Sequence, residues 1–218
     1  MSTWGGVGET MRVIARDGEH EVEIQRSRFL CTVARVFDVD DAYAVISRVR
    51  KAGPNANHHC FAMRIGDPET GELTARSNDD GEPSGTAGVP MLEVLTRREL
   101  TDVVAIVSRW FGGIKLGAGG LVRAYSGVLA ETLDIVGELR RVRHRELLLA
   151  LPHDRAGRLE HQLRNSPYRL QEVEYGADVT FTVAVTEDAV ADFKTWLAEH
   201  TGTTVDVIDA GPRDLYLP

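Results

Sequence analysis

The chain has 218 residues, a net charge of −8, 43% hydrophobic residues and 27% charged ones, which suffices to bury one or two domain cores and excludes a disordered chain. The acidic balance excludes a protein that coats nucleic acid by bulk attraction. Its two cysteines, Cys31 and Cys60, form no CxxC pair, so they exclude a disulfide scaffold and read as small buried thiols of a reducing compartment.

In chain order, Met1 to Glu9 is a polar, glycine-bearing lead-in. His20 to Gln25 alternates, and Phe29 to Val36 follows as a second strand, so the pair predicts a hairpin. Asp38 caps a predicted helix whose Val39, Ala42, Tyr43, Ile46 and Val49 share a face, ending near Gly53. His59 to Ile65 reads as a strand, then a turn at Asp67 to Gly71 and a short strand at Leu73 to Arg76. Pro90, Met91, Leu92, Val94 and Leu95 suggest a helix. Val103 to Val107 is a buried strand that Ser108 and Arg109 end, and helical spacing resumes beyond Gly120 as far as Val136. After Gly137 the pattern restarts: strand Arg143 to Leu151, helix Arg155 to Leu163, hairpin strands Tyr168 to Tyr175 and Val179 to Val185, helix Val190 to Leu197 and strand Thr203 to Ile208. That order is the ferredoxin-like βαββαβ unit, so the fold class is α+β with domains at 1–138 and 139–218. Arginines dominate from Arg140 to Arg169, whereas from Gln171 to Pro218 the only Lys or Arg are Lys194 and Arg213. No segment has signal-peptide character or the length of a membrane span, so the expected place is the cytoplasm, away from membranes.

Two turns concentrate the chemistry. The glycine turn contains Gly112, Gly113, Lys115, Gly117, Gly119 and Gly120, with Arg109 before it and Arg123 after it, and no Asp or Glu occurs from Val103 to Ala130. Free amides at the following helix start, set among positive charges, suit an anion. The pattern matches neither the P-loop nor the dinucleotide fingerprint, and glycines permitting close packing would explain it equally. The acidic turn carries Asp79, Asp80 and Glu82, then Ser84 and Thr86. It reads as a capped helix start, as hard oxygen ligands for magnesium, or as one half of an ion-pair network with Arg109 and Lys115. His58 shares a strand face with Cys60, yet no activated-nucleophile motif accompanies them, and Ser84 lacks the GxSxG elbow, so no catalytic residue is assigned.

The stretches His58 to Cys60, Asp79 to Gly88 and Arg109 to Tyr125, together with Ser27-Arg-Phe29, closely resemble the YigZ/IMPACT family. The resemblance implies an N-terminal domain like domain 2 of ribosomal protein S5 and a C-terminal ferredoxin-like domain like the last domain of elongation factor G. It also implies regulation of translation, with RNA or the ribosome, or a protein of translation control, as partner. Asn78 and Trp110 stand where the family commonly has Ser and Tyr. The leading expectation is a binding module whose glycine turn, Arg109, Lys115 and Arg123 contact RNA phosphates. The alternative is an enzyme acting on a small phosphorylated metabolite, with magnesium at the acidic turn, and a third reading is protein binding through the acidic C-terminal domain.

Overall fold

Residues 11–67, 71–203 and 205–218 are described by the structure, a computed structural model; the lead-in Met1 to Glu9 and most of the turn from Asp67 to Gly71 lie outside them. The chain divides into two units, one through Arg140 and one from Arg141 to Leu217. The first contains β1 Arg12–Ile14, β2 Gly18–Ile24, β3 Ser27–Arg35, α1 Val39–Ala52, β4 His58–Ile65, β5 Thr74–Asn78, α2 Gly88–Arg97, β6 Val103–Trp110 and α3 Gly117–Val136. Five strands form a sheet in the order β2-β3-β6-β4-β5. Side chains alternate across it: Ala34, Met63 and Ile106 meet Ile46 and Val49 of α1, while Phe29, Cys31 and Val107 pack with Met91 and Leu95 of α2 and Tyr125 and Leu129 of α3. Asp38 caps α1 by accepting the Asp41 amide at 2.7 Å, and Gly53 ends the helix as expected. Tyr43, assigned to the buried face by periodicity, is instead exposed, and Val45 takes its place.

Two expectations in this unit are corrected. β6 continues through Ser108 and Arg109 to Trp110, because β3 and β4 pair with it on both sides, as in Phe29↔Arg109 and His58↔Arg109. Their polar side chains find buried partners, so the strand has no reason to stop. The short β1, which periodicity passed over, pairs with the first residues of β7 Glu138–Leu151, as in Val13↔Leu139.

From Arg141 the second unit takes the rest of β7, α4 His153–Arg164, β8 Arg169–Tyr175, β9 Val179–Thr186, a short 3₁₀ turn, α5 Val190–Thr201 and β10 Val207–Leu217. The order β10-β7-β9-β8, with Leu159, Leu163, Phe193 and Leu197 of the two helices packed on Leu147, Leu149, Phe181 and Val183, is the ferredoxin-like arrangement. The last strand is longer and later than periodicity indicated. It is fixed to β7 by charge: Arg145 grips Asp209 with Nη2 to Oδ2 at 2.7 Å, Arg141 meets Asp214 at 3.2 Å, and Arg213 pairs with Glu146. Asp209 and Asp214 of the acidic tail are thus paired with arginines of the basic run. No helix among the described residues is long and apolar enough to cross a membrane.

Leu129 is fully buried between α3 and the sheet, so Leu129→Ala should cost about 2–5 kcal/mol in urea unfolding. Ile135→Ala, on the exposed side of the same helix, should stay within about 0.5 kcal/mol.

Candidate functional site

Strand direction brings both turns to one end of the first sheet. β4 is antiparallel to β5 and to β6, so β5 and β6 run the same way and both end toward the start of β4, with Asn78 opposite Phe61 and Arg109 opposite His58. The acidic turn leaves β5 there and the glycine turn leaves β6 there. β3 also begins at this end, opposite Trp110, so the β2–β3 turn joins the same cluster.

Each acid of the first turn is engaged. Asp79 accepts the amides of Gly85, Ala87 and Gly88 at 2.8–3.0 Å and so caps the start of α2 from a distance in sequence. Burial works to raise its pKa, and the Gly85, Gly88 and Ala87 amides together outweigh burial and hold it below the ordinary aspartate value. Asp80 accepts Arg50 Nη2 at 2.8 Å and the His59 amide at 2.7 Å. Asn78 accepts the Asp80 amide at 2.8 Å, an Asx turn that stabilises the left-handed backbone of Asp80. Glu82 is buried, and its Oε1 accepts Arg109 Nη1 at 2.6 Å and the Tyr125 hydroxyl at 2.8 Å. Thr86 closes on its own turn by donating to the Pro83 carbonyl at 2.6 Å, while Ser84 lies exposed. No group of three or more His, Cys, Asp or Glu among the described residues could hold a metal ion.

Arg109 is therefore no surface phosphate ligand, contrary to expectation; it is 5% exposed. Its guanidinium lies 5.3 Å from the ring of Phe29 and 5.6 Å from that of Phe111. Its Nε is buried without an acceptor. The acid–arginine link anticipated between the turns exists as Glu82–Arg109, and Lys115 takes no part in it.

Nor does the thiol beside them form a nucleophile. Cys60 Sγ donates to the Asp79 carbonyl at 2.9 Å, and its pKa is pushed up to about 12, chiefly by burial and further by Glu82, Asp80 and Asp79 against the lowering effect of Tyr125. His58 is held by Nδ1 on the Asp80 carbonyl at 2.9 Å, and His59 by Nδ1 on Ser108 Oγ at 2.8 Å.

The glycine turn is open where the acidic turn is closed. Gly113, Lys115, Gly117, Gly119 and Arg123 are exposed, and Gly112 and Gly120 are half-buried. Leu116 occupies the N-cap position of α3 without a side-chain hydrogen bond, and no acid lies in the first turn. Arg123 Nη1 lies 3.5 Å from where a Cβ on Gly119 would sit, so a cation rests over the positive end of this helix. Gly112 is sterically required: a Cβ there would lie 1.9 Å from the Arg26 carbonyl oxygen. Gln25 and Arg26 form the β2–β3 turn with φ of 47° and 63°, a conformation that usually selects Asn or Gly. Sequence reasoning passed over Arg26; the two-residue loop between paired strands was the signal that would have exposed it.

Residues 25–133, a span that includes every residue of this end of the sheet from the Gln25 turn onward, match the Impact N-terminal domain family. The chain belongs to the IMPACT family. Residues 149–202 match a second family, a domain of unknown function designated DUF1949. IMPACT family member YvyE of Bacillus subtilis is 43% identical over 190 residues, 87% of this chain and 86% of that protein. IMPACT family member YigZ of Escherichia coli is 34% identical over 186 residues, 85% of this chain and 91% of that protein. A crystal structure described as that of a hypothetical protein is similar with a TM-score of 0.59 and 32% identity, covering 93% of this chain and 98% of the other.

Two outcomes follow from the buried acids. Glu82→Gln leaves the Arg109 charge buried without its counterion and should cost about 3–5 kcal/mol in urea unfolding; a loss under about 1 kcal/mol would show that the pair is solvated. Because the folded-state pKa of Asp79 is depressed, its charge stabilises the fold above the unfolded value, and that contribution is lost as pH falls through the folded value. The stability gap between wild type and Asp79→Asn should therefore narrow on acidification below about pH 4; a gap independent of pH would contradict the capping role.

Proposed function

We propose that this IMPACT family member is a translation-associated regulatory protein that binds RNA, in a ribosomal context, through the glycine-turn end of its first unit. One observation carries the reading: the acids of the acidic turn are engaged and the cations beside the glycine turn are not. Asp79, Asp80 and Glu82 are held by amides, Arg50, Arg109 and Tyr125, while Arg26, Lys115 and Arg123 stand exposed without an ion-pair partner among the described residues. A chain of net charge −8 presents a local cationic surface here, and such a surface suits phosphates more than an acidic protein at large would. The uncapped amides of α3 add donors of the same polarity. Membership of the family supports the link to translation.

The test is co-sedimentation with ribosomes across a salt series, comparing wild type with Lys115→Ala/Arg123→Ala. Arg109 is left intact because its loss would disturb the buried pair. Wild type should sediment, and the double variant should bind more weakly, with its salt slope reduced by about 0.7 for each phosphate contact removed. Equal sedimentation of the two proteins, or none by wild type at low salt, would reject this site.

A further inference from the structure

The exposed cations do not stand alone at this end of the sheet. Phe111 is 47% exposed, immediately after β6, with the buried Arg109 guanidinium against its ring and its own amide held by Asn57 Oδ1 at 2.8 Å. Next to it in sequence, Trp110 carries the Arg28 guanidinium 3.7 Å from its ring centroid, with Arg28 also 3.7 Å from Glu21. On the other side of the turn, Ile24 and Gln25 of the hairpin and Leu116, Gly120, Arg123 and Ala124 of the α3 start enclose a cleft of about 210 Å³. Small-molecule sites generally run from about 300 Å³ upward, so this cleft is undersized for a free metabolite.

The scaffold under these groups is rigid. Ser27 Oγ accepts the Gly112 amide at 3.2 Å, and Gly112 abuts the Arg26 carbonyl too closely for any side chain. The strained Gln25–Arg26 turn thus packs directly against the start of the glycine turn. A turn of this type filled by Gln and Arg where Asn-Gly is favoured costs stability, and strain of that kind collects at functional surfaces.

We infer that this surface is selective for single-stranded RNA, with Phe111 as the platform for an unpaired base and Arg26, Lys115 and Arg123 on the flanking phosphates. The inference rests on the RNA reading above and adds the strandedness of the ligand. Its physical ground is the combination of cations with an exposed ring: a duplex hides its base faces inside the stack and offers phosphates alone, whereas an unpaired strand offers both. Duplex RNA would use the cations and leave Phe111 idle.

The experiment measures fluorescence anisotropy of a labelled uridine oligomer of about twelve nucleotides, and of a perfectly paired RNA duplex of equal length, over a salt series. Wild type should bind the single strand roughly ten-fold more tightly than the duplex. Phe111→Leu, which keeps apolar bulk and loses the ring, should weaken single-strand binding roughly ten-fold with an unchanged salt slope, and Phe111→Trp should retain it. Arg26→Ala should lower the salt slope by about 0.7 on the single strand and by about 0.9 on the duplex. Phe111 and Arg26 are exposed, and circular dichroism checks that each variant is folded. Duplex binding equal to single-strand binding, or Phe111→Leu behaving as wild type, overturns the inference. If ribosomes are bound while neither oligonucleotide is, the inference fails and the ribosome reading stands; if ribosomes are not bound either, both fail.

Discussion

The first unit depends on a buried carboxylate. Glu82 sits in the loop before α2, Arg109 near the end of β6 and Tyr125 about two turns into α3, so two hydrogen bonds to one oxygen tie three segments together. Burying such charges carries a desolvation penalty that the pair offsets only because the geometry is close and donors are supplied from both sides. Tyr125 remains a donor, since burial, then the neighbouring Cys60 and Glu82, push its pKa well above the ordinary phenol value. A hydrophobic trio could fill the same space. The ionic one specifies a unique register, because a shifted loop would strand Arg109 in the core.

That constraint determines what the surface can be. With Glu82 buried against Arg109, Asp79 on the amides of α2 and Asp80 paired with Arg50, no acid of this turn is left to pair with the exposed Arg26, Lys115 and Arg123. The close approach of Gly88 to Asn78, where a Cβ would lie 2.7 Å from the backbone nitrogen, draws the start of α2 onto the end of β5 and completes the cap. The second unit shows the opposite economy. Its arginines and acids meet across β7 and β10, so charge there serves strand pairing and leaves less for a ligand.

Strong periodicity is enough to predict the β2–β3 hairpin, α1 with its Asp38 cap, the start of α3 at the glycines and the βαββαβ order of the second unit. Local rules suffice for these, because alternation, 3.6-residue spacing and capping chemistry act within a few residues. Local rules failed at β6, where Ser108 and Arg109 read as an end and are instead a middle. They failed again at β10, an edge strand held by arginines far away in the chain. The site shows the same divide. Sequence named both turns and their residues, and composition alone could not say which charges were free. That Arg109 is consumed by Glu82 while Lys115 and Arg123 are not depends on the fold, because β5 and β6 run the same way and deliver their loops to one end of the sheet.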